Sequence, residues 1–163
     1  MKYLDALIIG AGFSGLYQLH CLRDKLKLNT LVIEEGKDIG GTWYWNTYPG
    51  ARCDSESFTY GFTFSEKIFK NWTWKERYPK QNVILKYLKY FSNELKLKKN
   101  IVFNEKVISA KYIEKNNLWK IQTNNKKKYY TKYLICAVGS LSSINLPKIK
   151  GINQFKGQLH HSG

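Results

Sequence analysis

Gly10, Gly12 and Gly15 form a Gly-x-Gly-x-x-Gly series, and Glu34 follows Gly10 by 24 positions. Residues of these types at this spacing suit the capture of a dinucleotide. The first glycine permits a tight turn, the second lets backbone approach a pyrophosphate, and the third lets a helix pack closely on a strand. The pyrophosphate then rests on the free N–H groups and positive dipole end of the helix. An acid ending the next strand accepts hydrogen bonds from a ribose 2′-hydroxyl and repels a 2′-phosphate, which favours FAD or NAD over NADP at this position. A glycine turn in an ordinary βαβ unit, with Glu34 merely solvated, uses the same residues. The surrounding elements must therefore decide.

Those elements are legible. Residues 4–9 are a short apolar run, as in a buried parallel strand, and Leu16, Leu19, Leu22 and Leu26 trace a helix beginning near Ser14. Residues 30–33 read as a second strand that ends in Glu34. Residues 36–54 follow, with Gly36, Gly40, Gly41 and Gly50 among Trp43, Tyr44, Trp45 and Tyr48, poor material for a helix or strand. Long loops in compact domains are usually functional or disordered, and the aromatic density argues against disorder. Flat aromatic walls suit a planar cofactor ring; an aromatic mini-core under the loop requires the same residues. A short helix is expected around 66–70 and a longer one over 81–97, where Val83, Leu85, Leu88, Phe91 and Leu95 form a stripe. Strand-like runs at 101–103, 107–113, 118–123 and 129–137 are separated by turn residues such as Asn116-Asn117 and Asn124-Asn125. These imply an antiparallel meander over about 101–132, then a return strand ending near Gly139 that again lets backbone approach the nucleotide. The fold class is α/β: a Rossmann-like FAD-binding domain, a parallel sheet with helices and an inserted meander, here incomplete.

Bulk properties exclude several alternatives. The net charge is +15, yet only Arg23, Arg52 and Arg77 among 27 basic residues are arginine, whereas nucleic-acid sites favour arginine. A lysine-rich bias accounts for the charge, and Lys126-Lys127-Lys128 reads as a hairpin tip, so no nucleic-acid partner is expected. Cys21, Cys53 and Cys136 are scattered without metal-ligand spacing and read as reduced thiols of a cytoplasmic protein. No apolar run approaches the roughly 18 residues of a membrane span.

The segment Gly41-Thr42-Trp43-Tyr44-Trp45-Asn46-x-Tyr48-Pro49-Gly50-Ala51-Arg52-Cys53-Asp54 resembles the flavin loop of Baeyer–Villiger monooxygenases, and Phe155-x-Gly157-x-x-x-His161-Ser162 resembles the start of that family's fingerprint. The resemblance runs from Leu4 to Ser162. It implies FAD and NADPH as cofactors, and O2-dependent insertion of oxygen beside a ketone through a flavin peroxide. By the same resemblance, Gly10, Gly12 and Gly15 match the FAD pyrophosphate loop and Glu34 the adenosine-ribose acid. Thr42, Trp43, Tyr44 and Trp45 match the loop beside the flavin, and Tyr60 and Val107 match further FAD contacts. Arg52, Cys53 and Asp54 match a triplet facing flavin and nicotinamide, in which Asp54 would help position a catalytic arginine, as a buried carboxylate beside a guanidinium can. Read without the family, Asp54 is equally a turn-capping residue. Family members carry a second glycine loop for NADPH, which this sequence lacks. Residues 1–163 therefore match the amino-terminal part of an FAD-binding domain. The NADPH domain and catalytic arginine would lie elsewhere, on a longer polypeptide or a complementary chain, and this chain alone is expected not to turn over. A flavin monooxygenase oxidising nitrogen or sulfur, or a non-catalytic nucleotide-binding fragment, are the alternatives.

Overall fold

The computed structural model describes residues 2–161. Strand β1 (Lys2–Ile9) leads through the glycine loop into helix α1 (Phe13–His20), and β2 (Thr30–Ile33) returns parallel to β1, pairing Ala6 with Thr30 and Ile9 with Ile33. The helix does not run evenly to Leu26. It widens into a π-helical turn over Cys21–Lys25, where the Leu26 N–H reaches back to the Cys21 carbonyl. Within that turn Arg23 donates to the Leu95 and Lys96 carbonyls and to Asn100, tying α1 to the end of the next long helix.

Helical turns α2 (Thr42–Trp45) and α3 (Glu66–Lys70) and helix α4 (Gln81–Glu94) follow. Helix α4 stops short of 97, because Lys96 takes a left-handed conformation (φ +50°) and a 3-10 turn continues over Leu97–Asn100. Strands β3 (Ile101–Val102), β4 (Val107–Ile113), β5 (Leu118–Thr123) and β6 (Lys128–Cys136) complete one six-stranded sheet in the order β3-β2-β1-β6-β5-β4.

This topology corrects the expected meander over 101–132. Residues 101–102 pair in parallel with β2 and extend the parallel layer, because the Glu34 N–H and the Val102 carbonyl meet at 2.8 Å. Only β4, β5 and the first part of β6 are antiparallel. Nor is there a separate return strand: β6 is continuous, and Thr131 pairs with Trp119 on one side and Leu4 on the other. The lysine triplet lies at the β5–β6 hairpin, where Lys126 has φ +60°.

Side-chain alternation on β1 and β2 sends residues to both faces. On one face Ile8 and Val32 pack with Leu16 and Leu19 of α1 and Ile84, Leu88 and Phe91 of α4. On the other, Leu7, Leu31 and Ile33 pack with Ile121 of β5 and Tyr129 of β6. Two hydrophobic layers thus fix the β1–α1 junction from both sides, and that junction carries the glycine loop. Beyond β6, Val138, Leu141, Ile144, Leu146, Ile149, Phe155 and Leu159 are exposed. Among the described residues no helix is long and apolar enough to cross a membrane, and no group of acids, histidines and cysteines is placed to hold a metal ion.

Candidate functional site

Two of the three glycines sit where a side chain would clash. Gly10 has φ +98°, and a Cβ there would lie 2.5 Å from the Ala137 carbonyl oxygen. A Cβ on Gly15 would lie 1.9 Å from the Gly10 carbonyl oxygen, so helix and loop can meet only without one. Gly12 caps α1 with extended backbone, and no side chain bonds to the helix start. The first-turn N–H groups, which have no partner inside a helix, are therefore left to whatever approaches the loop. Gly139 has φ +74° and a Cβ on it would meet no protein atom within 4 Å, while Ala137 makes the close approach to the glycine loop.

Glu34 is 4% exposed rather than solvated. One carboxylate oxygen accepts the Ala11 N–H at 2.7 Å and the other accepts the Gly36 N–H at 2.7 Å. It therefore joins the end of β2 to the middle of the glycine loop with charge-assisted hydrogen bonds. Val107 opens β4 half-buried, and packs with Ile9 and Val102 against the second core layer beside this strand end.

The aromatic segment is partly folded, which corrects its reading as loop throughout. Gly41 (φ +54°, ψ −124°) starts α2, and its carbonyl accepts from the Tyr44 and Trp45 N–H groups. A Cβ on Gly41 would sit 2.9 Å from the Gly12 Cα, and the Gly40 N–H donates to the Ala11 carbonyl at 3.0 Å. The glycine pair thus seats α2 directly on the dinucleotide loop. Trp43 is buried, packs edge-on to Tyr60 and donates its indole N–H to the Tyr60 hydroxyl at 3.1 Å, while its carbonyl accepts from the Gln81 side chain. Burial is the main cause that pushes the Tyr60 hydroxyl pKa up, opposed by that Trp43 hydrogen bond. Tyr44 is half-buried and its hydroxyl accepts the Lys37 N–H at 3.1 Å. Trp45 stands edge-on to Tyr44 and is 52% exposed, and Thr42 begins the turn half-buried. Both open readings of the segment find residues: Trp43 serves a core, whereas Trp45 and Tyr48 remain available at the surface.

Arg52 and Cys53 lie on a short segment bridged to 79–81, and Asp54 follows at a bend. Cys53 is buried and its sulfur accepts the Ser55 N–H at 3.4 Å. Arg52 is exposed, pairs with Glu76 at 2.7 Å and donates to the Tyr78 carbonyl. Asp54 is exposed and makes no hydrogen bond or ion pair among the described residues. Arg52 thus turns to Glu76, while Asp54 faces outward; the arginine that the resemblance pairs with Asp54 does not belong to residues 1–163. His161 is exposed; Ser162, in the fingerprint, lies outside the described residues.

The sequence marked Gly40 and Gly41 as glycines of the aromatic loop but not as the seat of a helical turn on the dinucleotide loop, and Gln81 only as a helix start. Glu105, a lone acid in the turn between β3 and β4, carries no pattern that marks it.

The comparisons with known proteins agree with this geometry. The flavin-binding monooxygenase-like family model matches residues 5–163. The chain belongs to this family. It is 44% identical over 158 residues to cyclohexanone 1,2-monooxygenase of an Acinetobacter species, covering 97% of this chain and 29% of that protein. The crystal structure of cyclohexanone monooxygenase from Rhodococcus sp. Phi1 bound to NADP+ superposes with a TM-score of 0.90 at 40% identity, covering 99% of this chain and 30% of that one. A crystal structure of OTEMO in complex with FAD and NADP gives a TM-score of 0.87 at 41% identity, over 98% of this chain and 30% of that one. This chain thus spans under a third of the length of the relatives it matches.

Proposed function

We propose that this chain binds FAD and forms the flavin-binding part of an NADPH- and O2-dependent monooxygenase of Baeyer–Villiger type. The observation that carries the reading is the junction of an uncapped α1 start, a glycine loop with no room for a side chain at Gly10 or Gly15, and the buried Glu34 at the adjoining strand end. These residues fit a dinucleotide. Gly10, Gly12 and Gly15 leave the helix N–H groups open to a pyrophosphate. Glu34 lies where a ribose hydroxyl would be received, and its charge disfavours a 2′-phosphate there. Val107 would flank the nucleoside, while Trp43, Tyr44, Trp45, Thr42 and Tyr60 would bound the ring end. Bound FAD, reduced by NADPH, would supply activated oxygen for insertion beside a ketone.

The chain's own residues bind and orient. Trp43, locked by Tyr60 and Gln81, fixes the wall of the ring end. Exposed Asp54 remains available to groups brought by the part of the enzyme that holds NADPH and the ketone, whether on this polypeptide or on a complementary chain, while Arg52 is held by Glu76. We place that enzyme in the cytoplasm. The test is to add FAD to the purified chain, remove free flavin by gel filtration, and assay the product for NADPH oxidation with cyclohexanone. Retained flavin absorbance without NADPH consumption is expected. Absence of retained flavin refutes the binding role, and turnover by the chain alone refutes the division of labour.

A further inference from the structure

The turn between β3 and β4 carries a buried acid that the reading above leaves unused. Glu105 is 1% exposed. One carboxylate oxygen accepts from the Tyr129 hydroxyl at 2.9 Å, and the other pairs with the Lys127 ammonium at 2.6 Å. Tyr129 lies on β6 and Lys127 just ahead of it, so these contacts fasten the turn to the antiparallel half of the sheet. A buried carboxylate is costly unless paired, and here two donors meet it. Burial pushes the Glu105 pKa up, but the hydrogen-bonding groups around it, Lys127 first and then Thr123 and Tyr129, more than offset this and hold it below the usual carboxylate value. Burial and the same acid push the Tyr129 hydroxyl up to about 12.

The backbone of this turn grips the residues around Glu34. The Glu105 N–H donates to the Glu34 carbonyl at 3.0 Å, and the Asn104 N–H donates to the Gly36 carbonyl at 3.0 Å. Lys106 adds an ion pair to Glu35 at 2.9 Å, and its N–H donates to the Asn124 side chain at 3.0 Å. A continuous chain of contacts therefore runs from Tyr129 and Lys127 through Glu105 to the 34–36 backbone, then through the Glu34 carboxylate to Ala11 in the glycine loop.

We propose that Glu105 is a positioning residue for Glu34: clamped by Tyr129 and Lys127, it fixes the turn that aims the Glu34 carboxylate at the nucleotide ribose, and so sets the preference for a free 2′-hydroxyl over a 2′-phosphate. The inference rests on the dinucleotide reading above and deepens it. It places specificity for the nucleotide partly in the β5–β6 hairpin, which does not itself contribute to the glycine loop.

The experiment compares the wild-type chain with Glu105→Ala, Glu105→Gln and Tyr129→Phe. Calorimetric titration gives the affinities for ADP-ribose and 2′-phospho-ADP-ribose, and amide hydrogen exchange is followed at Ala11, Gly36, Val32 and Leu88. Glu105→Ala is expected to weaken ADP-ribose binding about tenfold while barely changing the 2′-phosphorylated ligand, as for loss of one well-aimed charged hydrogen bond. Exchange at Ala11 and Gly36 rises while Val32 and Leu88 stay protected. Glu105→Gln, which can still accept from Tyr129, recovers much of both effects, and Tyr129→Phe falls between.

Unchanged discrimination and unchanged protection at Ala11 and Gly36 overturn the proposal. So does a loss of protection spread equally to Val32 and Leu88 in all three variants, which marks a purely structural role. A wild-type chain that binds neither ligand overturns the dinucleotide reading itself. The exchange readout separates that result from failure of the Glu105 clamp.

Discussion

Glu34 and Asp54 are both acids of the candidate site, and their surroundings differ in kind. Glu34 is 4% exposed, spends both carboxylate oxygens on backbone N–H groups at 2.7 Å, and is backed by a turn that is itself anchored to β6. Asp54 is exposed beside Arg52, which is occupied by Glu76, while Trp45, Tyr48 and Phe58 stand exposed in the same stretch. The nucleoside end is rigid and complete in its contacts; the ring end presents groups without partners. Pre-organised donors bind a ligand without a large ordering cost, so the affinity of this chain should reside at the nucleoside end. The ring end supplies chemistry only when further groups meet it.

The contrast can be broken or sharpened by substitution. The largest effect is expected at Gly15→Ala, whose added methyl meets the Gly10 carbonyl at 1.9 Å. Forcing the loop apart should cost about 3 kcal/mol of stability, read in urea unfolding, and about a hundredfold in FAD affinity. A variant with wild-type stability would show that the loop is not closely packed. Glu34→Ala comes next, since it leaves two N–H groups in a buried place without an acceptor. A loss of about 2 kcal/mol and about tenfold weaker ADP-ribose binding is expected from denaturation and titration. Asp54→Asn should do least: a stability change within about 0.5 kcal/mol and FAD affinity within about twofold of wild type. A large loss of either on Asp54→Asn would mean that the ring end is already organised within this chain.

The same contrast tracks how much of the molecule the sequence disclosed. The glycine loop, the strand before it and α4 were legible because each obeys a local rule: φ-permissive glycines, an apolar run, a helical stripe. The place of residues 101–102 was not, since two residues are too few for periodicity and their parallel pairing depends on the Glu34 N–H finding Val102. Continuity of β6 was hidden for a related reason, because Thr131 serves two neighbours of opposite direction and leaves no pattern of its own. At the site, residue types singled out Glu34, but the Ala11 N–H that it accepts and the Glu105 clamp come from chain segments far from it in sequence. Asp54 was legible only through the family pattern, which carries residue identity, whereas its exposure depends on what packs against it. The α2 turn was missed because Trp43 pays for it through tertiary packing with Tyr60 rather than through helix propensity.

Competition at the nucleotide site tests the central claim most directly. FAD is titrated into the chain while tryptophan fluorescence is followed, and ADP-ribose or FMN is then added in excess. The account predicts that FAD quenches the fluorescence and that ADP-ribose displaces it, whereas FMN, which lacks the adenosine end, does not. Absence of FAD binding, or displacement by FMN but not by ADP-ribose, would contradict the assignment of the glycine loop and Glu34 as the dinucleotide anchor.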